Sequence, residues 1–151
     1  MTRFRRRLAC DSGAEFVEFA LAFPLLLLLV LGIIDFGLLF QQYEVITNAA
    51  REGARVAVLP DYEEADAEQR VRDYLDASLL VGRERATLTV GAPTAVSIGG
   101  NCMTTVTVTV QYPHDYLFVG GVMRYFGRTL GTKHLTAVAT MRTEVAAAGC
   151  P

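Results

Sequence analysis

The sequence predicts an α+β protein with a long N-terminal helix, a second amphipathic helix and a small antiparallel sheet of three or four strands. Two observations predict this class. The stretch Phe19–Phe40 is apolar except for a single charged residue, Asp35. After about Glu84, apolar residues stop recurring at helical spacing and alternate with polar residues, which is typical of strands. The chain has 151 residues, enough for one compact domain.

The apolar stretch has the length of a transmembrane helix. At about 1.5 Å per residue, Phe19–Phe40 reaches about 33 Å, and the hydrocarbon core of a bilayer is about 30 Å thick. Four arginines lie within the first seven residues, before the apolar stretch. By the positive-inside rule we expect a single-pass protein whose span covers about residues 16–40, with a cytoplasmic N-terminus and an exported domain at 58–151.

The N-terminus allows three interpretations. A cleaved secretory signal needs a small-residue cleavage site after the apolar stretch, and the sequence lacks one there. A lipoprotein signal, suggested by Leu8–Cys10, needs its cysteine after the apolar stretch, whereas Cys10 precedes it. The third interpretation uses the order that is present: a basic leader, then Gly13, then Glu18 at the start of the apolar helix. A carboxylate at this place is costly unless something pairs with it.

The third interpretation rests on a resemblance. Gly13, Glu18 and Phe19 match a Gly-x-x-x-x-Glu-Phe/Tyr pattern, and the N-terminus resembles the class III signal of type IV prepilins. Together with Pro24 and the sequence NAAREGAR at 48–55, residues 12–57 resemble the TadE-like pseudopilins of the tight-adherence (Tad/Flp) pilus. The sequence LTAVATMRTE at 135–144 resembles the closing strand of these proteins.

The resemblance implies a set of processing and assembly residues. Residues 1–13 would be a prepilin leader, cleaved between Gly13 and Ala14, and Glu18 would become the fifth mature residue. Glu18 and Phe19 would then set the register of the subunit during assembly. The implied fold is pilin-like, with a long helix over 14–57 followed by the exported domain.

The resemblance also implies a function and partners. The chain would be a minor pilin that takes part in pilus assembly and surface adhesion, held in the bacterial inner membrane with its C-terminal domain in the periplasm. The implied partners are a prepilin peptidase, the Flp major pilin, a TadF-like minor pilin, the Tad inner-membrane assembly platform and the lipid bilayer. The alternative is a single-pass membrane-anchored binding module that never enters a pilus.

Two further features are predicted within the long helix. Pro24 removes a backbone hydrogen bond and predicts a kink, either used when subunits pack or simply tolerated in a membrane segment. Ala49, Gly53 and Ala57 recur every four residues and form a ridge of small residues that allows another backbone to approach closely. This ridge could pack on the protein's own sheet or on a neighbouring subunit.

The remaining elements are predicted from periodicity. A second helix is expected over about Tyr62–Leu80, with Asp61 and Glu64 at the spacing of a capping box. Strands are expected at ATLTV (86–90), at TTVTVTVQY (104–112), which Pro113 would end, and at KHLTAVATMRTEV (133–145). The apolar segment 116–127 is too short to span a membrane and could be a buried segment or a patch that contacts a partner or the membrane surface.

The cysteines suggest one disulfide bond. Cys102 and Cys150 both lie in the exported part, where oxidation is permitted, while Cys10 lies on the cytoplasmic side. We expect a Cys102–Cys150 bridge; the alternative is that the two thiols are free or intermolecular.

Other functional classes find little support in the sequence. His114 and His134 are the only histidines and join no pattern of catalytic residues, so we expect no enzyme, cofactor or metal. The acidic stretch at 61–69 lacks the glycine turn and ligand spacing of a calcium loop. The chain has a net charge of −2 even with its basic leader, which disfavours nucleic acid as a partner.

Overall fold

A computed structural model describes residues 11–61, 63–98 and 101–143 and confirms the predicted α+β class. The elements are α1 (Asp11–Ala57), α2 (Glu64–Ala77), β1 (Thr87–Val90), β2 (Thr94–Ile98), β3 (Asn101–His114), α3 (Phe118–Tyr125) and β4 (Lys133–Thr143). They divide into two compact units. The first unit contains the described residues up to Gly37 together with Tyr116–Thr129. The second contains Leu38–Asp115 and the described residues from Leu130 onward.

The helix α1 runs without a break through 47 residues, or about 70 Å at the usual rise. It ends at Ala57, as predicted, three residues before Pro60. In the first unit its large apolar side chains are exposed, from Phe16 to Phe36. Between Phe19 and Ile34 every residue is apolar, so this part of the helix is apolar on all sides, as is typical of a segment surrounded by lipid.

In the second unit the sheet is organised around β3. The strand β4 pairs antiparallel with β3 from Thr104 to His114. Both β1 and β2 also pair antiparallel with β3, over 108–111 and 101–105 respectively. Since β4 already occupies one edge of β3 in both ranges, β1 and β2 lie end to end along its other edge.

A β-bulge separates β1 from β2. Val90 pairs with Val108 and Thr94 with Thr105, so the three residues 91–93 lie opposite the two residues 106–107. The extra residue shifts the alternation of side chains by one position. As a result Val90 faces the core and is only 8% exposed, whereas Val96 on β2 is 36% exposed. The strand β2 was not predicted, because this shift interrupts the period-2 pattern.

The core of the second unit lies between the sheet and two helices. From Thr104 to His114 the even-numbered residues of β3 point inward, and Val106, Val108, Val110 and Tyr112 are buried. The alternation predicted for β4 is also confirmed, with Leu135, Ala137 and Ala139 buried. The helices contribute mostly small side chains: Ile46, Ala49, Ala50 and Ala54 from α1, and Ala67, Val71 and Leu75 from α2.

The predicted start of α2 is wrong by two residues, and so is its capping pair. The N-cap is Glu63, whose backbone N–H donates to Asp66 Oδ2 at 2.9 Å in a capping box. Asp61 has a φ of 70°, in the left-handed region, and therefore belongs to the turn after Pro60. The helix also ends earlier than predicted, at Ala77, where the Ser78 hydroxyl donates to the Leu75 carbonyl.

The prediction that Pro113 ends the strand TTVTVTVQY, which is β3 in the structure, is also wrong. The strand β3 continues to His114, and Pro113 pairs with His134 of β4. On the other edge, β1 begins at Thr87 opposite Gln111, so it does not extend as far as Pro113. A proline is tolerated where one edge of its strand has no partner, because no amide hydrogen is needed there.

Gly53 allows α1 to pack closely against α2 and β3. A Cβ atom at this position would overlap Val71 Cγ2 and would lie 3.4 Å from Val108 Cγ1. Val71 and Val108 are both fully buried, so neither side chain has room to withdraw. Close approach of the helices at this point therefore depends on the absence of a side chain.

We predict that Gly53→Ala lowers the free energy of unfolding of the second unit by about 1–3 kcal/mol, through overpacking. The measurement is chemical unfolding of the full chain in detergent, followed by circular dichroism. Gly37→Ala is the matched control, because a Cβ there meets nothing within 4 Å. The double change Gly53→Ala with Val71→Ala should recover part of the loss. Equal effects of Gly53→Ala and Gly37→Ala would contradict the packing argument.

Candidate anchoring and assembly site

The predicted cleavage point lies on the first turn of α1. Gly13 and Ala14 are both exposed, and apart from neighbouring backbone no atom of the described residues lies within 4 Å of a Cβ built on Gly13. Residues 1–10 of the predicted leader lie outside the described residues. Among the described residues, none packs against the Gly13 side of this bond, and Ala14 is exposed.

Glu18 and Phe19 are exposed on the next turn of α1. Within residues 11–61, 63–98 and 101–143, no hydrogen bond or ion pair involves the Glu18 carboxylate. Phe19 is 61% exposed, and its ring centroid lies 5.3 Å from that of Phe23. The described chain thus supplies no partner for a carboxylate placed at the start of its apolar helix.

Pro24 lies inside α1, which continues on both sides of it. The neighbouring apolar residues Phe23 and Leu25 are exposed. A role of Pro24 in subunit packing stays a prediction, with simple tolerance in a membrane segment as the alternative.

Asp35 is the most unusual residue of the apolar stretch. It is 1% exposed, whereas its neighbours Ile34 and Phe36 are 43% and 57% exposed. Its carboxylate accepts hydrogen bonds from the first backbone N–H groups of the α3 region. The Asp35 oxygens lie 3.2 Å from Leu117 N, 3.0 Å from Phe118 N and 2.7 Å from Val119 N. Asp35 therefore caps the start of α3.

Asp35 and Gly127 together define both ends of α3. A carboxylate at a helix N-terminus satisfies unpaired N–H groups and interacts favourably with the helix dipole. At the other end Gly127 has a φ of 71°, with Gly127 N bonded to Arg124 O at 3.0 Å and Arg128 N to Met123 O at 2.9 Å. This is the Schellman arrangement, which requires a left-handed residue and favours glycine. The apolar segment at 116–127 is therefore mainly a short, doubly capped helix.

Sequence reasoning missed α3 because its N-cap is not local. Capping signals are normally sought within a few residues of the helix start. Here the capping carboxylate is 82–84 residues away along the chain. The only local signal is Gly127, which marks the end of the helix and not its start.

The predicted ridge of small residues lies in the second unit. Ala49 and Gly53 are buried there, and Ala57 is half-buried against the core. The closest groups around Gly53 belong to α2 and β3 of the same chain. These contacts correspond to the intramolecular alternative; a contact of the ridge with a second subunit stays a prediction.

A charged cluster borders this ridge. Glu52 accepts hydrogen bonds from Arg55 at 2.9 Å and from Arg70 at 2.6 Å, which ties α1 to α2. The hydrogen bonds from Arg55 and then Arg70 lower the pKa of Glu52 to about 2. In return Glu52 raises the pKa of Arg55. The carboxylate stays ionised over the whole physiological range.

A second polar cluster lies where the connection between β3 and β4 begins and ends. Asp115 accepts hydrogen bonds from Thr132 Oγ1 at 2.8 Å and Arg85 Nη1 at 2.9 Å. The bond from Thr132, followed by that from Arg85, lowers the pKa of Asp115. Asp115 and Thr132 therefore hold the two ends of this connection, which carries α3, close together.

The histidines and the nearby tyrosine have structural contacts. His114 is buried, and its Nδ1 lies 2.6 Å from Gln42 Oε1 on α1. His134 is exposed. The Tyr112 hydroxyl donates to the Val81 carbonyl, and burial raises the pKa of this phenol. Among the described residues, no group of three or more His, Cys, Asp or Glu side chains is placed to hold a metal ion.

The predicted disulfide cannot be placed within the described part of the chain. Cys102 is exposed on β3, opposite Ser97 of β2. Cys150 and Cys10 lie outside the described residues. The Cys102–Cys150 pairing stays a prediction.

The fold and the exposed apolar half of α1 have the features of a single-pass membrane-anchored protein. Among the described residues, one helix is long and apolar enough to cross a membrane, and none of its most apolar window is buried. The family model described as TadE-like protein matches residues 13–55, which form nearly all of α1. The predicted resemblance to the TadE-like family is thus confirmed over this segment, and the match is consistent with a protein of the Tad system.

The family match begins at Gly13 and includes Glu18, Phe19, Pro24, Ala49 and Gly53. It does not reach Ala57 or β4, so the resemblance at 135–144 remains an expectation. No match was found among curated proteins or among solved structures.

We predict that Glu52→Gln lowers the free energy of unfolding by about 1 kcal/mol near neutral pH, because an ion pair near the surface contributes little more. A carboxylate whose pKa falls from 4.5 to about 2 on folding stabilises the protein at pH values above 4.5. This contribution is lost as the pH falls toward 2, so the difference between wild type and variant should disappear over that window. The measurement is urea unfolding in detergent at several pH values.

Glu44→Gln provides the control for this experiment. Glu44 is exposed on the same helix, and within the described residues it takes part in no ion pair. Its replacement should change stability by a few tenths of a kcal/mol at most. A difference between wild type and Glu52→Gln that stays constant from neutral pH to pH 2 would contradict the assignment.

Proposed function

We propose that this chain is a minor pilin, or pseudopilin, that takes part in the assembly of a tight-adherence pilus and in surface adhesion. The observation that carries the proposal is the TadE-like match over residues 13–55. The matched segment begins at the glycine of the proposed cleavage site and contains the whole apolar stretch. The proposed role is structural, so no enzymatic activity and no cofactor is assigned to the chain.

In this proposal a prepilin peptidase cleaves between Gly13 and Ala14 on the cytoplasmic side of the inner membrane. The exposure of both residues at the start of α1 supports access by the peptidase. The mature chain keeps its apolar helix as a single-pass anchor, with the α+β domain in the periplasm. Cleavage also creates a new α-amino group at Ala14, close to the membrane.

Glu18 would use this amino group during assembly. Its carboxylate is exposed, and the described chain offers it no partner. An unpaired carboxylate in lipid is costly, whereas one that meets the amino group of a neighbouring subunit is compensated and fixes the register between the two chains. Phe19 adds an exposed aromatic ring beside the carboxylate, available for packing against the same neighbour.

The proposed partners follow from the tight-adherence system. They are the prepilin peptidase, the Flp major pilin, a TadF-like minor pilin and the inner-membrane assembly platform, besides the lipid bilayer. The exposed apolar half of α1 supports this set, because the same surface that contacts lipid before assembly can contact neighbouring apolar helices afterwards.

We predict that the mature protein begins at Ala14 in cells with an active prepilin peptidase. Mass spectrometry of the purified protein identifies the N-terminus. In cells without the peptidase the leader should be retained, and a bulky replacement such as Gly13→Leu should leave the leader in place even in cells that have the peptidase. An N-terminus that retains residues 1–13 in peptidase-containing cells would instead favour the membrane-anchored binding module.

We predict that Glu18→Ala reduces the incorporation of the protein into pilus fractions and reduces pilus-dependent adherence, without lowering its amount in the membrane. Glu15→Ala is the matched control, since Glu15 is also an exposed carboxylate on the first turns of α1. Immunoblots of sheared pili and of membranes measure both quantities. If the two variants assemble equally well, Glu18 has no special role in register.

A further inference from the structure

We infer that α3 and its flanking residues lie in the membrane interface, with a phospholipid surface as the partner of their exposed apolar side chains. The interfacial segment is defined here as Tyr116–Leu130. This inference requires only that the apolar stretch of α1 spans a bilayer, and it does not depend on pilus assembly. It assigns a binding surface to the part of the chain between β3 and β4.

The cap from Asp35 fixes the depth of α3 along the span. The first three N–H groups of the α3 region bind the Asp35 carboxylate at distances from 2.7 to 3.2 Å. Asp35 precedes Phe40, the last residue of the apolar stretch, by five positions, or about 8 Å along the helix. The start of α3 is therefore fixed within about 8 Å of the level where the apolar surface of α1 ends. That level is the boundary between hydrocarbon and headgroups when α1 spans the membrane.

The interfacial segment exposes large apolar side chains. None of the residues of α3 is fully buried. Leu117 is 67% exposed, Tyr125 87% and Phe126 72%. The Tyr125 and Phe126 rings meet edge to face, with centroids 5.5 Å apart. Such a patch is unusual on a surface that faces water, whereas aromatic and apolar side chains are enriched at membrane interfaces.

The charge of the interfacial segment also suits a phospholipid surface. The interfacial segment carries Arg124 and Arg128 and no acidic side chain. Both arginines are exposed. In contrast, α2 is rich in acidic residues, namely Glu64, Asp66, Glu68, Asp73 and Asp76. Anionic lipid headgroups attract arginine side chains, and the long aliphatic part of arginine can lie along the apolar boundary while its guanidinium stays among the headgroups.

The bilayer is favoured over a protein partner because the patch is continuous with the anchor. Ile34 and Phe36, on either side of Asp35, are themselves exposed apolar residues of the span. The same lipid that surrounds them is in reach of a helix whose N-terminus is bonded to Asp35. An interfacial helix of this kind would lie in the plane of the membrane and stabilise the outer end of the span without crossing the membrane.

The test uses single tryptophans, because the natural chain contains none. Phe126→Trp places the probe on the interfacial segment, and Phe36→Trp places one in the span. Leu59→Trp is the control outside the membrane. Leu59 is exposed and follows Phe40 by 19 residues. The helix α1 continues through the first 17 of these residues and so carries the chain away from the end of the apolar stretch. Each full-length variant is reconstituted, at low protein-to-lipid ratio, in vesicles of phosphatidylcholine and phosphatidylglycerol with or without bromine on the acyl chains.

Brominated acyl chains should quench Phe126→Trp nearly as strongly as Phe36→Trp, and they should leave Leu59→Trp unquenched. The emission of Phe126→Trp should also be shifted to the blue. Adding Asp35→Ala should reduce quenching at position 126 while quenching at position 36 persists, because only the cap of α3 is lost.

Two results would overturn the inference. Red-shifted, unquenched emission from Phe126→Trp means that the segment faces water. Blue-shifted emission without bromine quenching means that protein covers the patch, either a second copy of the chain or another subunit. Neither result bears on the N-terminus of the mature protein, so failure here and failure of the pilin proposal are distinguishable.

Discussion

One continuous helix, α1, meets two different environments along its length. In the first unit its surface between Phe19 and Ile34 is apolar on all sides, as is typical of a segment in lipid, while in the second unit its small residues lie against α2 and the sheet. Neither environment could be exchanged for the other. The ridge around Gly53 would leave gaps against lipid, and the leucine-rich turns after Pro24 are too bulky for the close approach that α2 makes.

Asp35 lies in the apolar half of α1, where a carboxylate is expensive. Its desolvation is offset by the N–H groups of Leu117, Phe118 and Val119, which would otherwise be unpaired at the start of α3. Two costs, a buried carboxylate and an uncapped helix, thus compensate one another. Glu18 presents the same chemical problem at the other end of the apolar stretch, and there the described chain provides no donor. This difference is why Glu18 suggests a contact between subunits and Asp35 a contact within one.

The predictable parts of the fold were those with regular periodicity. The apolar stretch, the end of α1 at Ala57 and the alternation in β3 and β4 follow directly from repeated residue patterns. The parts that sequence reasoning missed depend on contacts between distant residues. Asp35 caps α3 across 82–84 positions, and the bulge at 91–93 becomes visible only when β1 and β2 are aligned with β3. The effect of Pro113 on β3 was misjudged because it depends on the neighbouring strand. Since β1 does not extend as far as Pro113, β3 can continue through the proline.

The long-range cap has a consequence for biogenesis. Asp35 is synthesised 82 residues before Leu117, which at about 5–20 residues per second is an interval of about 4–16 s. During that interval the carboxylate has no α3 to bind, although the apolar stretch that contains it is already complete. A chain that stalls before residue 117 therefore carries an uncompensated charge in its anchor.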